Sequence, residues 1–282
     1  MKKIFLYYYR KVKKWIYHNT WVMAVAAGII LVSVVSVTIV SCSAEKFTGY
    51  LDEAALSLDD SYWKTEENGR KYYDKTGYIT TTGIDVSEWV QEIDFKEVKK
   101  SGIDFVILRV GYRGYVSGGF VLDNNLTTYL KNASKAGLKI GLYFVSQAVN
   151  EEEAIEEAEY VMKQAKGYKI EMPIYIDLEP VYDEARTDGL TKNDYTKIAL
   201  AFCKCIEESG YRAGIYANET WYLDNLDFSK IKNYDIWLAK YTESPSTDLA
   251  INMWQYSCEG DVEGSALWVD LNARVSLEKY DN

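Results

Sequence analysis

The chain carries one histidine, His18, and it falls in a basic N-terminal stretch, outside the globular part. Ser-His-Asp and Cys-His catalysis are thereby excluded, as is every zinc site that needs imidazole. Proline is scarce, three among 282 residues, and none of the four cysteines (Cys42, Cys203, Cys205, Cys258) forms a C-x-x-C pair. Cys203 and Cys205 fall on an expected helix, where residues two apart diverge, so they read as small core residues and not as a disulfide. Basic residues are also short in the globular part. Lys2, Lys3, Arg10, Lys11, Lys13 and Lys14 precede Trp21 with no acid among them, yet the whole chain has a formal charge of −10. The remainder of the chain, beyond Trp21, is more acidic still, which argues against nucleic acid as a partner. Gly111 to Gly119 is glycine-rich but no Gly-Lys-Ser/Thr comes after it, and no EF-hand spacing occurs. No phosphate loop, metal or cofactor is expected. Carboxylates are left as the groups able to move protons.

Two strand-like runs end in such groups: Thr82-Gly83-Ile84-Asp85-Val86-Ser87 and Pro173-Ile174-Tyr175-Ile176-Asp177-Leu178-Glu179-Pro180. In an extended chain residues two apart share a face, so Asp177 and Glu179 point the same way. Their apolar neighbours set the pair at the mouth of a buried sheet. Two crowded carboxylates push one pKa upward, giving a proton donor beside a stabilising anion. Cleavage of a glycosidic bond needs such a pair. Capping of a strand end, or pairing with a nearby Lys or Arg, is the alternative reading.

Trp21 to Val40 is an uninterrupted apolar and small-residue run, about the twenty residues that span a bilayer core. The basic flank before it and Glu45 after it predict a single-pass helix with the N-terminus cytoplasmic and the rest extracytoplasmic. Cleavage as a signal peptide near Ser41-Cys42-Ser43-Ala44, giving a secreted chain, and lipidation of Cys42 are the alternatives. The expected organisation is a cytoplasmic basic segment over 1–20, a transmembrane helix over 21–41, an extracytoplasmic stalk over 42–81 and a globular domain over 82–282. Glu53 to Leu58 is read as a short helix within the stalk, whose Tyr62, Trp63, Tyr72, Tyr73 and Tyr78 have the means to dock on the domain.

From Thr82 on, short apolar runs alternate with helical patterns. Strands are expected at Gly83–Val86, Phe105–Val110, Ile140–Val145, Ile174–Asp177, Ala213–Tyr216, Ile236–Ala239, Met253–Tyr256 and Trp268–Leu271. Helices are expected at Phe95–Lys100, Leu126–Ala136, Glu151–Lys166 and Lys192–Glu208. The pattern predicts an α/β fold: an irregular TIM-like (β/α) barrel of about five βα units plus extra strands. Asp85, Arg109, Asp177, Glu179, Tyr216 and Asp270 all fall at or near strand C-termini, where such barrels gather their chemistry. Arg109 closes an apolar strand and needs a carboxylate partner, whether to tune an acid or as a structural ion pair. Tyr112, Tyr143, Tyr216, Trp237, Tyr241 and Tyr256 are candidate sugar platforms, with core packing the alternative; Tyr143 and Tyr241 are favoured.

The motifs resemble a known family. Gly83-Ile84-Asp85-Val86-Ser87-Glu88-Trp89, Phe105 to Tyr112, Gly141-Leu142-Tyr143-Phe144, Asp177-Leu178-Glu179, Trp237 to Tyr241, Trp254-Gln255-Tyr256 and Val269-Asp270-Leu271-Asn272 occur in the order found in glycoside hydrolase family 25, the Chalaropsis-type lysozymes. The resemblance runs from about Thr82 to near the C-terminus and implies an acidic groove that cleaves the β-1,4 bond after N-acetylmuramic acid in peptidoglycan. It implies an acidic quartet of Asp85, Asp177, Glu179 and Asp270. Glu179 would be the general acid, and Asp177 the nucleophile or the group orienting the substrate's N-acetyl carbonyl. Gly264-Ser265-Ala266 stands where the family more usually has Gly-Ile-Gly. Tethering would suit local wall remodelling, or opening a passage for a secretion or transfer apparatus. A catalytically silent wall-binding module and a hydrolase of another polysaccharide are the alternatives.

Overall fold

The computed structural model describes residues 55–181 and 184–278. The basic segment, the expected membrane span and Cys42 lie outside the described residues. Among the described residues no helix is long and apolar enough to cross a membrane.

Eight strands close into a barrel. They are β3 (Tyr78–Val86), β4 (Phe105–Arg113), β6 (Lys139–Val145), β7 (Ile174–Asp177), β8 (Ala213–Asn218), β9 (Asp235–Ala239), β10 (Met253–Gly260) and β11 (Val269–Leu277). Their order is β3-β11-β10-β9-β8-β7-β6-β4, and β4 returns to β3. Every pairing is parallel except those of β11, which runs antiparallel to both β10 and β3. A short β5 (Phe120–Leu122) adds to the outer part of β4. Helices Phe95–Lys100, Leu126–Ala136, Glu151–Ala165 and Lys192–Glu208 follow the early strands, and only the short Glu219–Asn225 and Phe228–Ile231 follow β8. All eight expected strands and all four helices expected within the barrel domain are present. β3 and β11 are longer than expected, because the Thr80-Thr81-Thr82 run continues the ladder with Val275, Arg274 and Ala273; β-branched threonine suits a half-buried strand.

Alternation along each strand divides the core in two. Phe105, Ile107, Tyr175, Tyr216, Trp237 and Met253 form one cluster inside the barrel. Val106, Leu108, Ile174, Ile176, Ile236 and Leu238, one residue out of step, join the larger cluster beneath the helices. Apolar residues on both faces explain why these strands read as continuous hydrophobic runs. The interior is filled so closely that a Cβ at Gly83 would run into the Phe105 ring.

The floor of the barrel is polar. Asp235 accepts hydrogen bonds from Arg274 (Nη1, 2.9 Å; Nη2, 2.7 Å), from Arg212 (2.9 Å) and from the Tyr175 hydroxyl (2.8 Å). Burial alone would raise the Asp235 pKa, but the two guanidinium charges hold it below the ordinary value. At the start of the long helix Lys192–Glu208 the expected cap is present: Thr191 and Asp194 form a reciprocal capping box.

The boundary expected at residue 82 falls inside β3, and the expected stalk is, from residue 55, folded onto the barrel. β1 (Trp63–Thr65) and β2 (Lys71–Tyr73) form an antiparallel hairpin. Trp63, 7% exposed, meets Tyr73 and Trp254 edge-on. Leu56, expected in a helix, instead bridges Ile251 with two backbone hydrogen bonds of 3.0 and 2.9 Å. Three-residue strands separated by polar turns leave too little periodicity to be read, whereas burial of two aromatic rings fixes the hairpin. Trp63→Ala should therefore lower unfolding free energy by about 3–5 kcal/mol in urea titration. A chain whose stability is unchanged by that substitution would mean that this segment is a stalk after all.

Candidate active site

Inward-facing residues near the C-terminal ends of the parallel strands converge with the start of β11. Asp85 comes from β3, Tyr143 from β6, Asp177 from the end of β7, Tyr216 from β8, Trp237 from β9, Gln255 from β10 and Asp270 from β11. With Glu179 and Tyr241 they line one cleft of about 200 Å³. Glu179 reaches it because the chain stays extended past β7, with the Leu178 N–H donating to the Tyr216 carbonyl at 3.0 Å. Residues two apart then share a face.

Asp85 and Asp270 stand directly opposite each other on the antiparallel β3–β11 pair. Like charges at such positions repel, and here they are also screened from water. Asp85 is 4% exposed and its Oδ2 accepts from Asn272 Nδ2 (2.8 Å) and Gln255 Nε2 (2.9 Å). Burial, and then the Asp270 charge, still raise its pKa well above the ordinary value. Asp270 is pushed up to about 6 by burial and by the Glu179 charge, against a hydrogen bond with Asp85 that lowers it. One proton shared between the two carboxyls satisfies both.

Asp177 is 3% exposed, and its Oδ1 is a buried acceptor with no hydrogen-bond partner. Its pKa is raised by burial, by Glu179 and by Asp85, and the Arg109 charge only partly opposes this. Burial raises Glu179 as well. Four carboxyls crowded in this way cannot all be ionised near neutral pH. The cleft therefore holds protons and anions side by side, which is the condition for acid catalysis next to electrostatic stabilisation.

Not every expected residue lies in the cleft. Arg109 does not line it: its Nε donates to Asp123 (2.9 Å) and its Nη2 to Glu88 (3.1 Å), a buried ion pair. Its charge still reaches Asp177. Tyr112 is outside too, its ring centroid 5.9 Å from the Arg109 guanidinium, because it lies beyond the irregularity in the β4–β6 register after Arg109. Tyr256 points away, packing against Trp254, since alternation places it opposite Gln255. Trp237 does line the floor, but Tyr143, Tyr175 and Tyr216 meet its ring edge-on. Tyr241 is the open aromatic, 54% exposed.

Two amides complete the site that the sequence alone does not single out. The Gln255 Oε1 accepts from both the Tyr216 and the Tyr241 hydroxyls at 2.9 Å, while its amide holds Asp85. Asn272 links Asp85 to the floor through its acceptor for Trp237 Nε1, at 2.8 Å. Their signal was positional: each stands two residues beyond an inward-facing neighbour, Met253 and Asp270. Among the described residues no group of His, Cys, Asp and Glu is placed to hold a metal ion.

Because the folded-state pKa of Asp270 lies above its unfolded value, the carboxyl favours folding only while protonated. The cost builds as pH rises from about 4 to about 6. Asp270→Asn should thus raise Tm by a few degrees at pH 7.5, on the order of 1–3 kcal/mol, and change it little at pH 4. A lower Tm at pH 7.5, seen by differential scanning calorimetry, would contradict this electrostatic picture.

Known proteins resemble the chain in sequence and in fold. The sequence model of Glycosyl hydrolases family 25 matches residues 84–265. The "Autolytic lysozyme" of Clostridium acetobutylicum is 28% identical over 191 residues, 67% of this chain and 54% of that protein. The chain thus spans about half the length of that relative. Among solved structures, the modular autolysin LytC of Streptococcus pneumoniae superposes with a TM-score of 0.64 at 23% identity, over 75% of this chain and 51% of that one. A family 25 glycosyl hydrolase of Bacillus anthracis gives 0.61 at 23% identity, over 73% and 93%. With a family match across most of its barrel, the chain belongs to the glycosyl hydrolases of family 25.

Proposed function

We propose that the domain is a peptidoglycan muramidase, a lysozyme that hydrolyses the β-1,4 bond between N-acetylmuramic acid and N-acetylglucosamine. The observation that carries this reading is the convergence of Asp85, Asp177, Glu179 and Asp270 on one histidine-free cleft. A wall-binding module has no use for four mutually repelling acids, whose desolvation costs stability. Similarity to a protein named an autolytic lysozyme supports the choice of peptidoglycan.

In this reading Glu179, its pKa raised by burial, keeps a proton at working pH. It delivers that proton to the glycosidic oxygen as the bond to the anomeric carbon breaks. Asp177, facing the same space, stabilises the positive charge that develops on the sugar, as nucleophile or by orienting the substrate's N-acetyl carbonyl. Its buried, unpartnered Oδ1 is the acceptor such a contact would satisfy. Asp85 and Asp270 keep the cleft at negative potential, and Gln255 and Asn272 fix Asp85 in place. Tyr143 and Tyr241 offer ring faces for pyranose C–H surfaces, with Tyr216 bracing Gln255 between them.

Digestion of purified peptidoglycan by the detergent-solubilised full chain should release muropeptides with reducing-end N-acetylmuramic acid. Glu179→Gln should reduce that release by about 10²–10⁴-fold. Reducing-end N-acetylglucosamine would overturn the bond assignment, and binding without cleavage would mark a silent module. We further propose that the Trp21 to Val40 run tethers the enzyme to the membrane with the barrel extracytoplasmic, restricting it to nearby wall strands. Cell fractionation should find the intact chain in the membrane pellet. Its recovery from the culture medium would rule the tether out.

A further inference from the structure

The cleft does not end at Tyr241. The same residue forms part of a second, larger groove of about 810 Å³, whose walls come from the β1–β2 hairpin on one side and the end of β10 on the other. Thr65, Lys71, Tyr256, Glu259 and Asp261 are among its lining residues. The hairpin lies outside the matched family region, residues 84–265, so nothing in that match assigns it a role.

The wall it supplies is rigid. Trp63 and Tyr73 are buried beneath it, and Lys71, itself buried, donates to Thr65 Oγ1 at 2.8 Å and to Glu243 at 2.6 Å. A second tie runs from the Ser246 N–H to Asp60 Oδ1, 3.0 Å. Lys71 and Asp60 thus clamp the loop after Tyr241. A groove already shaped in this way loses little entropy on filling.

Its chemistry selects the occupant. The half-exposed Tyr241 ring stands beside hydroxyl, amide and carboxylate side chains, which suits the apolar faces and polar edges of a sugar. We propose that this groove is a saccharide-binding extension of the cleft, holding amino-sugar units of the glycan strand beyond the pair being cut. The proposal rests on the muramidase reading and makes the enzyme selective for long strands over short ones.

The test compares the full chain with Glu259→Trp, which fills the groove from an exposed position, and with Lys71→Met, which removes the ammonium but keeps the stem. Substrates are peptide-free alternating N-acetylglucosamine–N-acetylmuramic acid strands, one a tetrasaccharide and the others progressively longer. The wild type should gain kcat/KM with length. Both variants should lose about tenfold on long strands, mainly through KM, and less than about twofold on the tetrasaccharide. A wild type indifferent to length would overturn the proposal, as would equal losses at every length, which mark a purely structural Lys71. Failure of the wild type to cut any strand would remove the muramidase reading itself, and this inference with it.

Discussion

The Asp85 carboxylate sits inside the barrel, held by Gln255 and Asn272 and facing Asp270 across a pair of antiparallel strands. Two acids in that relation repel, and burial sharpens the repulsion. The arrangement persists because the surrounding framework leaves them nowhere to go. Asn272 is fixed by the Trp237 indole, and Trp237 is wedged among three tyrosine rings. Below, Arg274 and Arg212 neutralise Asp235 and seal the floor. Strain at the mouth is thus tolerated because the interior beneath it is satisfied and tightly filled.

The contrast between two of the barrel's buried aspartates shows how environment sets role. Asp235 and Asp85 are both strand residues facing the same interior. The first has two guanidinium partners and is held ionised. The second has only amides and another acid, so its proton is retained to higher pH. One serves as a structural ion, while the other can trade protons with its surroundings. Arg109 shows the intermediate case: paired with Asp123 and Glu88, it still acts on Asp177 through space.

The barrel was legible from sequence because strands covered on both faces become unbroken apolar runs, and acids at their ends stand out against them. Asp177 and Glu179 could be assigned to one face by spacing alone. What escaped was set by contacts distant along the chain. Gln255 and Asn272 look like ordinary strand amides until Asp85 is placed between them. Tyr112 and Tyr256 resemble their neighbours in composition, and only the register irregularity and strand alternation send them elsewhere. The hairpin at 63–73 was hidden for a related reason: its strands are short and polar, and its two anchoring aromatics are buried only against the barrel. Cys203 is buried as expected, whereas Cys205, also expected in the core, is half-buried and Cys258 is exposed.

Closure of the barrel joins its first strand to its last. β3 and β11 flank the full run of helices and strands, yet they supply Asp85 and Asp270 as direct neighbours. A piece of the chain that lacks either strand cannot assemble the cleft, and contacts so distant in sequence form slowly. The cleft is complete only once β11 has docked beside β3. Closing the sheet and completing the acidic cluster are thus a single event.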